Sequence, residues 1–241
     1  MRSPAQAFWL SYFMLSLAVI GALFAFVAGS PFYLIGRIYR PAHELADRIL
    51  TAGVRTLLAA QPWFNARVDL PSRPGRVLIV SNHRSHLDAF ILLSRISGIR
   101  ILAKEPLFRI PFLGTMMRLM EQIPVRSGRM DAYVEAMEKV RSKLKRGETV
   151  HVFPELTRCE PGLAGVQRFS LLPFQIAIQE DVTLLPVVFK GTDSAWGRGA
   201  RGIRFRTPIE ARALEPIEAG GFSSAQELKN AVQTRIEAAL V

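Results

Sequence analysis

Residues 77–88 read VLIVSNHRSHLD, and this stretch decides the fold. Its first four residues form a short apolar run between a Pro-Gly pair and a polar turn, which is typical of a buried β-strand. Further strands are predicted at 101–102, 150–153 and 184–189, and helices at 87–96, 131–146 and 225–240. Because strands alternate with helices, the sequence predicts an α/β fold with a mostly parallel sheet flanked by helices.

The composition limits the possible classes of protein. A chain of 241 residues can form one domain with a sizeable core, and 49% apolar against 21% charged residues excludes a disordered or coiled-coil chain. The formal net charge of +11 requires an anionic partner, which nucleic acid, phospholipid headgroups or a phosphorylated substrate would each provide. No nucleic-acid-binding module is recognisable, so we expect no nucleic-acid partner. The single cysteine excludes an internal disulfide framework.

The amino-terminal segment has the character of a membrane-inserted helix. Residues 3–36 carry no formal charge, and residues 7–28 are almost wholly apolar, about the length that crosses a bilayer. A cleaved signal peptide is the alternative, but its basic region would consist only of Arg2 and the amino terminus. We therefore predict membrane insertion, and leave open whether the segment spans the bilayer or enters one leaflet.

A second helical pattern is predicted at 32–60, after a break at 29–31. It carries Arg37, Arg40 and Arg48 among regularly spaced apolar residues. This helix would either lie on the membrane interface, with its arginines on lipid phosphates, or pack on the globular domain. Because positive charge follows the apolar run, we expect the globular domain on the cytoplasmic side of a cell inner membrane. The predicted division is residues 1–60 as membrane-anchoring helices and 61–241 as the α/β domain.

The polar half of the opening stretch contains a candidate acid–base pair. If the helix begins near Ser85, His83 lies in the preceding turn and the carboxylate of Asp88 can fold back onto its ring. A carboxylate on one ring nitrogen fixes the tautomer and leaves the other nitrogen free as a general base. Asp88 can also form a capping box with Ser85, and both roles are compatible. His83 and His86 without a third ligand make a poor metal site, so we expect no metal.

Three further blocks follow this pair. They are Lys104-Glu105-Pro106-Leu107 with Ile110-Pro111-Phe112-Leu113-Gly114, then Phe153-Pro154-Glu155-Leu156-Thr157-Arg158, then Leu185-Pro186-Val187-Val188. With Asn82-His83 and Asp88 in front of them, the chain resembles the glycerolipid acyltransferase family, that of the 1-acylglycerol-3-phosphate acyltransferases, over roughly residues 75–190. Four blocks in order carry this resemblance; one alone would not.

The resemblance implies acyl transfer from an acyl-CoA or acyl-carrier-protein thioester to a lysolipid hydroxyl, with 1-acylglycerol-3-phosphate giving phosphatidic acid. It implies no cofactor besides that donor, and it makes His83 the base and Asp88 its orienting partner. The substrate-binding residues that it implies are Lys104, Arg126, Glu155, Thr157 and Arg158. Lys104 would hold an anionic headgroup or the developing oxyanion, Arg158 a phosphate, and Glu155 the acceptor hydroxyl or Arg158 itself. The position of Cys159 and the absence of G-x-S-x-G favour direct transfer.

The sequence departs from the family pattern at three places. Arg126 lies one residue before the expected arginine, Leu156 replaces a usual glycine, and Cys159 replaces a usual serine. These departures make a non-phosphorylated or specialised lysolipid the alternative acceptor. A lipid or thioester hydrolase would act on the same substrate class, and a non-catalytic membrane-surface protein is the remaining alternative.

Overall fold

A seven-stranded sheet organises the protein in a computed structural model, which describes residues 27–61, 64–126, 128–160, 162–163, 165–200, 202–204 and 206–241. The strands are β1 (Asn65–Asp69), β2 (Val77–Ser81), β3 (Arg100–Lys104), β4 (Ile123–Val125), β5 (Val150–Val152), β6 (Thr183–Lys190) and β7 (Pro208–Ala213). Their order is β1-β7-β6-β2-β5-β3-β4, and every pair is parallel except β6 with β7. The predicted mostly parallel α/β sheet is confirmed.

Helices cover both faces of this sheet. They are α1 (Arg40–Ala59), α2 (Leu87–Arg95), α3 (Leu113–Leu119), α4 (Met130–Lys145), α5 (Leu172–Gln179), α6 (Thr192–Trp196) and α7 (Ala225–Leu240), with 3-10 turns at Glu105–Arg109 and Ala219–Gly221. In β2, Leu78 and Val80 pack under α4, α5 and α7, while Val77 and Ile79 pack under α2. All of β2 is buried, which explains its unbroken apolar run.

The amino-terminal helices differ from the predicted pattern. Residues 27–35 are helical through the predicted break at 29–31, and the chain turns only at 36–38 before α1 begins. Two residues explain this later break. Pro41 in the first turn of α1 cannot continue a helix from the residues before it, and a Cβ at Gly36 would lie 2.6 Å from the Cβ of His43. The prediction of one continuous helix over 32–60 is therefore wrong.

One face of α1 packs on the domain and the other is exposed. Ala46 and Leu50 form a buried cluster with Tyr33 and Met120, whereas Leu45 is exposed. The domain-packing interpretation thus accounts for the inner face of α1. Among the residues that the structure describes, no helix is long and apolar enough to cross a membrane. The apolar run at 7–28 lies outside the described residues except for its last two.

A buried ionic cluster joins α1 to the amino end of β3. Arg100 donates to Glu148 at 2.8 Å, to Asp47 at 3.3 Å and to the carbonyl of Met120 at 2.7 Å, and the Tyr33 hydroxyl donates to Asp47 at 2.8 Å. Burial raises the pKa of Asp47, but the hydrogen bond from the His43 ring and the charge of Arg100 outweigh burial and lower it overall. Asp47 is therefore an ionised buried anchor between the helical segment and the sheet.

Candidate active site

The blocks found in the sequence meet at one edge of the sheet. Strands β2, β3 and β5 are parallel neighbours, so their carboxyl ends lie side by side. His83 follows β2, Lys104 ends β3, and Glu155 follows β5. Ligands of open α/β sheets bind outside the carboxyl ends of the strands, so this edge is the candidate active site.

The predicted acid–base geometry is present. Nδ1 of His83 lies 3.0 Å from Oδ2 of Asp88, which also accepts from the backbone N–H groups of Arg84 at 2.7 Å and Ser85 at 2.8 Å. The Asp88 side chain is fully buried, whereas that of His83 is 17% exposed. Within the described part of the chain, Nε2 of His83 has no hydrogen-bond partner. The carboxylate thus fixes the ring by one nitrogen and leaves the other available to a substrate.

The capping box forms only in part. Asp88 accepts the N–H of Ser85 as that motif requires, but the Ser85 hydroxyl accepts from Leu87 at 3.1 Å rather than from Asp88. The same hydroxyl donates to the carbonyl of Trp196 at 2.6 Å. The first turn of α2 is therefore tied to α6, and this tie fixes the position of Asp88.

Two contacts that the sequence analysis missed hold the turn around His83. The side chain of buried Asn82 donates to the carbonyl of Phe189 and accepts from its N–H, both at 2.8 Å, which continues the pairing of β2 with β6 beyond Ser81. The ring of Phe153 stacks on the His83 ring with centroids 3.7 Å apart. Asn82 and Phe153 both belong to the sequence blocks described above, but the sequence did not show which residues they contact.

Glu155 supports His83 rather than Arg158. Its Oε1 accepts the backbone N–H of His83 at 2.8 Å, and its Oε2 accepts the N–H of Gln167 at 2.8 Å. The suggested ion pair with Arg158 is therefore not formed. Burial raises the pKa of Glu155, and the N–H groups of Gln167 and His83 act against this rise. A buried carboxyl group here joins the turn after β2 to the loop after β5.

Arg84, which the sequence analysis passed over, also fixes that loop. Its guanidinium donates to Asp193 at 3.0 Å and to the carbonyl of Gly165 at 2.9 Å. The N–H of Cys159 donates to the carbonyl of His83 at 2.7 Å. Burial raises the pKa of the Cys159 thiol, which disfavours the thiolate that a nucleophile would need.

Lys104 and Arg158 supply the positive charge of the site. Neither side chain has a hydrogen bond or an ion pair to another residue in the described ranges, Lys104 is exposed, and Arg158 is half-buried. Burial lowers the pKa of His86, and the nearby charges of Arg158, His83 and Lys104 lower it further. Both cations therefore exert their positive charge near His86, and their contact with a substrate stays a prediction. Thr157 is exposed next to Arg158, and its carbonyl accepts from Gln167 at 3.2 Å.

Arg126 has a different neighbour. Its guanidinium pairs with Glu105, which also accepts from Arg109 at 2.9 Å. Hydrogen bonds from Arg126 and then Arg109 lower the pKa of Glu105. A partly buried carboxylate thus occupies the guanidinium that the sequence assigned to substrate, and a substrate phosphate would have to compete with it.

The departure at Leu156 has a visible conformational consequence. Its φ is +63°, in the left-handed region where glycine is favoured, and its N–H donates to the carbonyl of Phe153 at 3.1 Å. The turn therefore has a shape that suits the usual glycine, yet it carries a side chain that is 49% exposed. This side chain adds apolar surface directly before Thr157 and Arg158.

His151 lies deeper and has a structural role. Its Nε2 lies 2.9 Å from the Ser81 hydroxyl, and its ring packs edge-on against Phe153. Burial, with a smaller effect from His83, lowers its pKa to about 3. His151 is thus neutral at physiological pH and supports the Phe153 ring from below rather than serving as a second base.

The sequence matches a family model described as Acyltransferase over residues 66–190, more than half of the chain. Among curated proteins, it is 28% identical over 217 residues to a chloroplastic 1-acyl-sn-glycerol-3-phosphate acyltransferase of Arabidopsis thaliana, covering 87% of this chain and 58% of that one. It is 26% identical over 231 residues to the 1-acyl-sn-glycerol-3-phosphate acyltransferase of Saccharomyces cerevisiae, with 88% and 74% covered.

A solved structure has the same fold. The 1-acyl-sn-glycerophosphate acyltransferase of Thermotoga maritima superposes with a TM-score of 0.82 at 23% identity, covering 98% of this chain and 95% of that one. The chain spans a little over half the length of the plant relatives that it matches, 58% and 55% for two of them.

Proposed function

The chain belongs to the acyltransferase family, and from that premise we propose that it transfers an acyl chain from a thioester to the free hydroxyl of a lysolipid. The donor would be acyl-CoA or acyl-carrier protein, and the acceptor 1-acylglycerol-3-phosphate, giving phosphatidic acid. The observation that carries the proposal is the His83–Asp88 pair, in which Nε2 of His83 has no hydrogen-bond partner among the described residues. The positive charges of Lys104 and Arg158, which act on nearby His86, support it.

The proposed chemistry is one addition and one elimination. His83 Nε2 takes the proton of the acceptor hydroxyl as its oxygen attacks the thioester carbonyl carbon. The tetrahedral intermediate then collapses, the carbon–sulfur bond breaks, and the leaving thiolate takes the proton back from the imidazolium. Asp88, held by two backbone N–H groups, stabilises the imidazolium between these steps. Lys104 supports the developing oxyanion or the headgroup, because its positive charge favours either anion.

Replacing the base tests the mechanism against a neighbouring histidine. His83→Ala is expected to lower kcat about 10²–10⁴-fold, the usual effect of losing a general base. His86→Ala is the matched control, because His86 is exposed and lies three residues away. Release of free thiol from the donor is measured with and without lysolipid. Nearly full activity in well-folded His83→Ala would refute the role of His83 as general base. Release of thiol in the absence of lysolipid would favour a hydrolase.

The phosphorylated acceptor is supported by the guanidinium of Arg158, which lies next to Thr157 and has no partner among the residues that the structure describes. A charge-assisted hydrogen bond contributes about 1.5–3 kcal/mol, so Arg158→Gln should lower kcat/KM for lysophosphatidate roughly 10–150-fold. A neutral lyso-aminolipid should be affected much less, and exposed Arg235→Gln on α7 serves as the control for lost surface charge. Equal losses on both acceptors would instead favour the non-phosphorylated or specialised lysolipid.

We further propose that residues 1–60 anchor the domain to a cell inner membrane, with the domain on the cytoplasmic side. The support is the apolar run at 7–28 together with exposed apolar side chains that follow it, such as Leu34 and Ile35. Arg37, Arg40 and Arg48 are exposed on the same segment, where each basic residue near an anionic surface is worth about 1 kcal/mol.

A further inference from the structure

A cavity lies at the edge of the sheet opposite His83. Its volume is about 700 Å³, within the range of small-molecule binding pockets. Thr149, immediately before β5, and Arg100, the first residue of β3, line it. Because β3 runs from Arg100 to Lys104, the cavity and the active site lie at the two ends of the same strand. The cavity is therefore separate from the His83 site.

The acidic groups of the cavity are already neutralised. Its lining carboxylates and their cationic partners are Glu44 with Arg73 at 4.0 Å, Asp47 with Arg100 at 3.3 Å, Glu121 with Lys143 at 2.7 Å, and Glu148 with Arg146 at 3.1 Å. Arg37 and Arg40 also line the cavity, and neither guanidinium group has a hydrogen bond or an ion pair to the part of the chain that the structure describes. Two exposed guanidinium groups thus remain available for an external anion.

The backbone adds to this positive character. Helix α1 is 20 residues long and begins at Arg40 in the cavity wall, with no acidic residue in its first turn and no side-chain cap. The amino end of a helix carries partial positive charge that favours anions. Arg118 also lines the cavity, donates to the carbonyl of Phe108 at 2.6 Å and has no carboxylate partner among the described residues.

We propose that this cavity is a second ligand site, which binds a phosphate group between Arg37 and Arg40 at the start of α1. A guanidinium group can donate two parallel hydrogen bonds to two oxygens of one phosphate, and two guanidinium groups balance the charge of a phosphate monoester. The phosphate belongs either to a soluble phosphate ester or to a phospholipid headgroup. Ile38, 96% exposed between the two arginines, would contact the acyl part in the second case.

Calorimetric titration of the full chain in neutral detergent tests the site, with inorganic phosphate and sn-glycerol 3-phosphate as probes. The double variant Arg37→Gln/Arg40→Gln should weaken binding at least about tenfold. Its melting temperature without ligand should stay unchanged, since neither side chain has a partner to lose. Arg48→Gln is the matched control, because Arg48 is exposed on α1 but does not line the cavity. Glu44→Gln should tighten binding by removing a nearby negative charge.

Unchanged affinity in the double variant would overturn the proposal, and so would an equal loss in Arg48→Gln, which would indicate general surface charge. Arg158→Gln separates this site from the active site, since it should leave the cavity isotherm intact whether or not it impairs acyl transfer. Vesicles of phosphatidylcholine with and without phosphatidate identify the source. If phosphatidate in the vesicles strengthens binding more than the soluble probes bind, and this gain is lost in Arg37→Gln/Arg40→Gln, the ligand is a lipid headgroup. If the soluble probes bind more tightly than the phosphatidate vesicles, the ligand is a soluble ester.

Discussion

Replacing Glu155 with glutamine should slow acyl transfer by displacing His83, without weakening substrate binding. Glu155 accepts the N–H of His83 through one oxygen and the N–H of Gln167 through the other. Glutamine keeps the size of the side chain but has only one acceptor oxygen, so its amide NH₂ must face one of these two N–H donors. Two donors facing each other at 2.8 Å repel, and either His83 or the loop at Gln167 has to move.

This geometry sets the size of two effects of Glu155→Gln, a loss of stability and a loss of rate. One buried N–H left without an acceptor costs about 1–3 kcal/mol, which for a chain of this length lowers the melting temperature by roughly 2–12 °C. A displacement of the base by about 1 Å costs on the order of 10²-fold in rate. Because Glu155 is buried beneath the turn, we expect kcat to fall by that order while KM stays within about twofold.

Steady-state kinetics and thermal unfolding of the same preparation measure both quantities. Glu160→Gln is the matched control: Glu160 lies five residues further along the same loop, is exposed, and pairs only with Arg198 among described residues. An exposed pair contributes about 0–1 kcal/mol, so this control should keep nearly full activity. A rise in KM with unchanged kcat in Glu155→Gln would refute the positioning role, because it would mean that Glu155 binds the acceptor.

Two further predictions concern stability. Asp47→Asn should lower the free energy of unfolding at pH 7 by about 3 kcal/mol, because it leaves Arg100 short of a buried partner. The pKa of Asp47 in the folded protein lies below the unfolded value of about 3.9. The loss of unfolding free energy in Asp47→Asn should therefore be complete above about pH 3.9, and it should vanish as the pH falls through the folded pKa. Denaturant titrations at a series of pH values measure this dependence. At Leu156, with φ of +63°, the glycine variant should be more stable than the alanine variant by about 1 kcal/mol. The usual order, alanine above glycine in melting temperature, would mean that the turn is not strained.

The sequence alone was sufficient for the sheet class and for the acid–base pair. Apolar runs bounded by turns predicted the strands β2, β3, β5 and β6, because a strand buried on both faces has no polar alternation to obscure it. The pair of His83 and Asp88 was predictable because both residues belong to one strand–turn–helix unit, whose local geometry places them together. The strands β1, β4 and β7 were missed, since their partly exposed residues carry no comparable apolar run.

The partners of the site residues were decided by tertiary structure. Glu155 contacts His83 across 72 positions and Arg84 contacts Asp193 across 109, separations at which sequence spacing carries no distance information. The same limit applies to Arg126, whose pairing with Glu105 depends on the adjacency of β3 and β4. The break before α1 was misplaced because the sequence shows a proline and several glycines, whereas the close approach of Gly36 to His43 exists only once the helices pack. Local chemistry determined which groups can react, and long-range packing determined which of them meet.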